Sequence, residues 1–338
     1  MNTTTTGPKV SIIIPSWTGE VSRLMKNIEQ QTLRDYEIIV VRKVSPAARA
    51  RNLGAQQATT DILLFLDDDA YLGHESVLTT MVEVLENEMV AVVGASQQMP
   101  VQASPFQHAV ARQVPRYVSP VVQNNVVSNP PLNGYGFTAI TTLCCAVRRS
   151  VFEEVGGFDE ELPTGEDTDF FYRVRRLSYN LVVAANCWVY HEPPASIRSL
   201  VRKNFWYGVG HVLEARLRPE RGMLLLPLDR WYSLLGLLAF LLAFPLAFFV
   251  HYYFSPKHQL VFGFRPLKTL SSYAVLCGYV YGWYTLSGKK GRLPEPAALA
   301  REPALQHAVS PPSIVPLEPA ASARQSPGRI KSDSFSCQ

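Results

Sequence analysis

The chain has 338 residues, with 32 Lys and Arg against 28 Asp and Glu and a formal net charge of +4 at pH 7. Residues 1–222 hold 21 basic and 23 acidic side chains, so this portion is close to neutral and offers no basic face for nucleic acid. The five cysteines, Cys144, Cys145, Cys187, Cys277 and Cys337, lack the spacing of zinc sites or disulfide frameworks, which points to free thiols in a reducing compartment.

Met1 to Pro8 is polar and Thr-rich without the apolar core of a signal peptide, so the following domain is expected to fold in the cytosol. Val10 to Ile14 reads as a buried strand ended by Pro15, and Glu20 to Gln31 as a helix. Tyr36 to Val41 is a second strand and Pro46 to Ala58 a second helix. Asp61 to Leu66 makes a third strand, followed by a helix over about Glu75 to Glu86 and a strand at Val90 to Val93. This alternation predicts a parallel sheet with right-handed crossovers. The turn Pro15-Ser16-Trp17-Thr18-Gly19 has one glycine, which excludes the Gly-rich pyrophosphate turn of a dinucleotide-binding domain. Met99 to Leu132, with six prolines, reads as irregular. Asn133 to Gly136 is a tight turn, Thr138 to Val147 a strand, Val151 to Val155 a short helix and Leu181 to Tyr190 a final strand.

Two acidic clusters interrupt this pattern. Leu63-Leu64-Phe65-Leu66 runs straight into Asp67-Asp68-Asp69. Three adjacent carboxylates repel one another, so the triplet belongs at an exposed strand end where a cation would relieve it. Ligands of open α/β sheets bind just beyond such strand ends. The second cluster runs from Asp159 to Asp169 and opens a helix, where part of its charge suits the helix dipole. Clustered carboxylates are hard oxygen ligands for Mg2+ or Mn2+, ions that work with phosphate-bearing substrates. A second carboxylate can serve as a base. These parts suit sugar transfer from a nucleotide donor, and equally phosphoryl or nucleotidyl transfer.

Beyond residue 195 the character changes. Residues 196–230 mix basic and aromatic side chains as an interfacial segment would. Trp231 to Phe254 has no formal charge and as a helix would span roughly 36 Å, enough to cross a bilayer core. Thr269 to Leu286 is a weaker second span, and 291–338 a Pro-, Ala- and Ser-rich disordered tail. Basic residues before Arg230 and after Leu286 place the domain on the cytosolic side of a membrane.

The order of motifs over residues 9–210 resembles the inverting family 2 glycosyltransferases. The matching pieces are Val10 to Pro15, Ala50-Arg51-Asn52-Leu53-Gly54-Ala55, Phe65 to Asp69, Gly156-Gly157-Phe158-Asp159-Glu160 and Gly165-Glu166-Asp167. The resemblance implies an α/β fold of the GT-A nucleotide-sugar-binding type. It has a mostly parallel central sheet in residues 1–195, followed by one or two transmembrane helices and the tail. It implies a divalent metal, Mn2+ or Mg2+, held by Asp69 and Asp67 with His191 nearby. Pro15, Ser16, Arg51, Asp67 and Asp68 would line the donor, and Asp167 would be the catalytic base. Gly134, Glu166 and Trp206 are candidates to face the acceptor, a lipid-linked or glycan molecule, with membrane lipids as further partners. Two departures bear on specificity. Arg42-Lys43-Val44-Ser45 stands where relatives carry a base-reading acid, and Arg202 to Trp206 lacks the Gln-x-x-Arg-Trp pattern of processive synthases, so single transfer is expected. Transfer to polyprenyl phosphate, which needs no base, and a catalytically idle scaffold are the rival readings.

Overall fold

Strand β1 (Val10–Ser16) is buried along almost its whole length, as its mainly apolar sequence requires. The structure is a computed structural model, and it describes residues 8–132, 136, 138–221, 231–233, 235–239, 243, 251–254, 260–263 and 265–287. Chain order continues α1 (Ser22–Ile28), β2 (Tyr36–Arg42), α2 (Ala47–Gln57), β3 (Ile62–Leu66), β4 (Tyr71–Leu72), α3 (Val77–Val84), β5 (Val90–Gln98) and α4 (Pro105–Gln113). It then passes through β6 (Val126–Val127), β7 (Cys144–Arg148), α5 (Arg149–Glu154), α6 (Glu166–Arg176), β8 (Asn180–Tyr190) and α7 (Ile197–Leu217). The last described elements are β9 (His251–Phe254), β10 (Leu260–Gly263) and α8 (Pro266–Ser287).

The main sheet runs β2-β1-β3-β7-β5-β8-β4, with β6 added to β8. Neighbours β1–β2, β1–β3 and β5–β8 are parallel. Strand β7 is antiparallel to both β3 and β5, so the sheet is mixed rather than mostly parallel as expected. The long segment between β5 and β7 brings the chain back to the end of the sheet where β5 leaves it, so β7 enters running the other way. Alternate side chains of the central strands face two cores. Ile12, Ile14, Leu64 and Leu66 pack with α1 and α3, while Ile13, Leu63 and Phe65 pack with α2, α5 and α6. The result is a three-layer α/β arrangement.

Several boundaries differ from the sequence reading. Strand β1 continues through Pro15 because β3 leaves it after Ile13, and proline is tolerated where a strand has lost a neighbour. The expected 138–147 strand is in the sheet only from Cys144, and it runs on to Arg148. The segment read as irregular contains α4, whose Ser104 and Gln107 form a capping box with Pro105 in the first turn. Ile197–Leu217 forms α7, whose Leu200 joins Val110, Val114 and Tyr117 in a third small core.

Among the described residues no helix is long and apolar enough to cross a membrane. The expected span 231–254 lies largely outside the described residues; 231–233, 235–239 and 243 are helical, whereas His251–Phe254 pairs antiparallel with β10 as a strand. Helix α8 covers the second expected span but lies against α7, where backbone meets backbone. A Cβ on Gly208 would collide with the Val275 carbonyl, and one on Gly278 with the Phe205 carbonyl. Residues 291–338 and Gly134 fall outside the described residues. Gly278→Ala is expected to lower the melting temperature through about 1–3 kcal/mol of overpacking. Gly236→Ala, with nothing within 4 Å of the new carbon, is expected to cause no loss; thermal melts followed by circular dichroism compare the two.

Candidate active site

The strand ends at Leu66, and the acidic triplet is a turn. The Asp67 amide donates to the Leu143 carbonyl at 3.1 Å, and the Ala70 amide donates back to the Asp67 carbonyl at 3.1 Å. The pleat therefore does not persist through the triplet, and the three carboxylates part. Asp67 meets Arg51, Asp68 accepts from the Ser16 hydroxyl, and Asp69 faces His191. Burial raises the Asp68 carboxyl above its ordinary value; Ser16 opposes this, and Asp69 and Asp67 add to it.

Arg51 is buried at 3% exposure. It reaches this position because α2 presents Ala48, Ala50, Gly54 and Ala55 to the sheet, and a Cβ on Gly54 would strike Ile13. Its guanidinium donates to Asp67 Oδ1 and Glu166 Oε1, both at 2.7 Å. One cation thus joins the two acidic motifs. Burial works against that charge, yet Asp67, Glu166 and Asp167 together hold it firmly protonated. The next residue, Asn52, receives the Phe158 amide on its side-chain oxygen and donates to the Phe158 carbonyl, both at 2.9 Å. This pins the loop of Gly156 and Gly157, whose φ values of +80° and +70° suit glycine.

Asp167 sits in the first turn of α6 and accepts the Thr168 amide at 2.8 Å. Its carboxyl is pushed from 3.8 to about 7, first by burial and then by neighbouring Glu166, with Thr168 and Arg51 opposing. Glu166, a candidate to face the acceptor, pairs with Arg51. Asp169 is fully buried between Arg173 and Arg218, each 2.7 Å away, and Arg218 also holds Asp159 at 2.7 Å. That network accounts for the further acidic charge as support for α6.

Asp69 is open to solvent, with 67% of its side chain exposed, and lies 3.5 Å from His191 Nε2. The recess around it is crowded, which pushes its carboxyl up, but His191 and Lys203 outweigh this and hold it below its ordinary value. The Gln97 side-chain nitrogen lies 2.9 Å from His191 Nδ1. Among the described residues no three His, Cys, Asp or Glu side chains gather as a ready cation cage. Asp69 and His191 instead form a two-donor set, while Asp67 has one oxygen spent on Arg51. That set suits an ion such as Mg2+ or Mn2+ that takes its remaining ligands from water and substrate phosphates. Turning the Gln97 amide over would place the hydrogen on Nδ1 and leave Nε2 free to ligate.

Lys203, which the sequence reading did not single out, stands on α7 with its ammonium 5.5 Å from the Tyr117 ring centre and couples to Asp69. A lysine within a basic-aromatic helix gives no local sign of facing an acidic turn far earlier in the chain; only the fold brings the two together. Glu214 was also missed. It accepts from Thr168 Oγ1 at 3.2 Å and pairs with buried Arg221, tying the end of α7 to the start of α6. Trp206 is fixed by its backbone, whose carbonyl accepts from Thr164 Oγ1 at 3.1 Å. Pro15 and Ser16 end β1 beside Asp68.

Residues 8–209, more than half of the chain, match the glycosyltransferase-like family 2, and the chain belongs to that family. The O-antigen chain rhamnosyltransferase RfbN of Salmonella typhimurium is 25% identical over 243 residues, covering 63% of this chain and 76% of the relative. An uncharacterized glycosyltransferase of Haemophilus influenzae is 23% identical, covering 49% of this chain and 61% of the relative, so the chain spans under two thirds of that protein. The pre-mycofactocin glycosyltransferase of Mycobacterium tuberculosis is 28% identical, covering 48% and 33%. A solved mannosyltransferase from Pyrobaculum calidifontis, in complex with GDP-Man and Mn2+, aligns at 16% identity and a TM-score of 0.45 over 88% of this chain and 79% of its own, too loose a likeness to carry an argument.

Arg51→Met is expected to destabilise the fold by about 3–5 kcal/mol, because two carboxylates lose a buried partner; urea denaturation measures it. Asp167→Asn is expected to act in the other direction. The folded chain keeps the Asp167 proton to about pH 7, whereas the unfolded chain releases it near 3.8. Stability conferred by the wild-type residue therefore falls between these values and stays low above them. The variant's melting temperature should exceed that of the wild type at pH 8 and approach it near pH 4, measured without metal or donor.

Proposed function

We propose that the chain is a divalent-metal-dependent, inverting glycosyltransferase of the GT-A type. It moves a single sugar from a nucleotide-sugar donor to a hydroxyl of a lipid-linked or glycan acceptor at the cytosolic face of a membrane. The observation that carries this reading is Arg51, which draws the Asp67 turn and the Glu166-Asp167 helix start into one cleft. Donor groups would lie against Pro15, Ser16, Arg51, Asp67 and Asp68. Asp69 and His191 would hold the metal, which when bound neutralises charge on the leaving diphosphate. Lys203 adds a fixed positive charge on the same side.

Asp167 takes the proton of the acceptor hydroxyl. The oxygen then bonds to the anomeric carbon as the bond from that carbon to the diphosphate breaks, and the nucleoside diphosphate departs with the electron pair. A base that titrates near pH 7 is well matched to this step. The Salmonella relative is named for O-antigen chain transfer, which supports a glycan-building acceptor. Trp231, Leu235 and Leu238, exposed at helical spacing, support attachment to lipid.

Asp167→Asn is expected to keep nucleotide-sugar binding while kcat falls by roughly 10²–10⁴. The wild-type rate should rise with pH through about 7 and then level off as Asp167 loses its proton. Asp69→Ala should lose transfer with its circular dichroism spectrum unchanged. Near-normal turnover of Asp167→Asn on polyprenyl phosphate would favour the phosphate-nucleophile rival. Failure of every nucleotide sugar to raise the melting temperature with Mn2+ present would favour the idle scaffold.

A further inference from the structure

A cavity of about 190 Å³ opens between the turn after α4, the middle of α7 and the first turns of α8. Its polar lining is Arg116, Asn204, Lys268, Ser271 and Ser272, and two valines complete it. Both charged groups in this lining are cations, and no carboxylate joins them. The Arg116 guanidinium is held in place by the Asn204 side-chain oxygen and stacks 4.4 Å from the Tyr207 ring centre. Neither contact neutralises it. Lys268 faces a second unneutralised position: burial, with Arg265 nearby, lowers its ammonium below the ordinary lysine value. Ser271 donates its hydroxyl hydrogen to the Leu267 carbonyl at 2.7 Å, which fixes that side chain on the α8 wall. Ser271 has thereby spent its one hydroxyl hydrogen, which leaves the Arg116 guanidinium, the Lys268 ammonium and the Ser272 hydroxyl in the lining as the donor types that bind tetrahedral oxyanions.

The cavity also shares charge with the acidic turn. Lys203 precedes Asn204 on α7, and it is coupled to Arg116 on one side and to Asp69 on the other. We propose that this cavity is a phosphate-binding pocket that seats a phosphate group of the acceptor. The acceptor role rests on the glycosyltransferase reading; the affinity of the cavity for phosphate does not. The phosphate could belong to a lipid carrier or to a soluble phosphorylated glycan, and the cavity recognises what they share.

Calorimetry on the full chain in EDTA, with inorganic pyrophosphate as the probe, tests the pocket. Lys268→Gln and Arg116→Gln are each expected to weaken binding roughly tenfold or more, the usual loss for a charged hydrogen-bond partner. Lys9→Gln, an exposed cation elsewhere, should leave it unchanged. Unaltered binding in Lys268→Gln, or no binding by the wild type, overturns the proposal; Lys268→Gln serves if Arg116→Gln fails to fold. Phosphatidylcholine vesicles with and without polyprenyl phosphate separate the two sources. Retention by the polyprenyl phosphate vesicles that is lost in Lys268→Gln assigns a lipid carrier, and pyrophosphate binding without such retention assigns a soluble one. Nucleoside diphosphate binding with Mn2+ is measured in parallel. Its absence in the wild type defeats the transferase reading alone, while its persistence in Lys268→Gln locates the loss at the pocket.

Discussion

Arg51 is a charged side chain taken almost wholly out of water, and the cleft exists because that charge is answered from two directions. Asp67 comes from the end of a central strand and Glu166 from the start of a helix far along the chain. Neither would stand where it does without the other's cation. Such a buried arrangement is costly to form and severe to break. It nevertheless fixes geometry in a way apolar packing does not, since a planar fork accepts partners only along set directions. Asn52, one residue on, extends the same control to the Gly156–Gly157 loop. Adjacent positions on α2 therefore govern three separated segments.

A second system sets the angle of α6. Its Asp169 lies between Arg173 and Arg218, and its Thr168 meets Glu214 of α7, itself paired with Arg221. Gly210 lets α7 press against Thr164, where any Cβ would collide. The consequence is electrostatic as well as mechanical. With Asp169 satisfied by arginines and Glu166 by Arg51, Asp167 is the acid of the group left without a cation of its own. Burial then works on it unopposed enough to carry its titration to about 7. Division of labour among neighbouring carboxylates, rather than any special chemistry of one, makes a base.

Much of this was legible in the sequence. The two-faced strands announced themselves as unbroken apolar runs, and the triplet after Leu66 had to lie at a strand end. Arg51, Asp67 and Asp167 were singled out by their place in ordered motifs. What could not be read were the partnerships. Asp67, Asp68 and Asp69 look equivalent in one dimension, and only the turn at Asp67 sends them to Arg51, Ser16 and His191. Lys203 and Glu214 sit in a helix whose composition suggests a lipid surface, while the fold turns part of that helix inward. Strand direction was also beyond local pattern, because nothing in the residues of β7 marks that it enters the sheet from the end where β5 leaves it. The capping box at Ser104 and Gln107 was a readable signal, hidden by the surrounding prolines.

The two bonds of Arg51 close loops of very different size, with partners 16 and 115 residues away. Loop-closure entropy grows slowly with length, so the longer closure costs only about 1.7 kcal/mol more than the shorter. Timing separates them more than energy does. As the chain is made, Asp67 becomes available soon after Arg51, but Glu166 arrives a hundred-odd residues later. Until then α2 carries a cation only half answered, and sealing it against the sheet is unfavourable. The face of α2 that carries Arg51 must stay wet until α6 docks, so the cleft is completed by a distant, late-formed contact rather than by the strands that frame it.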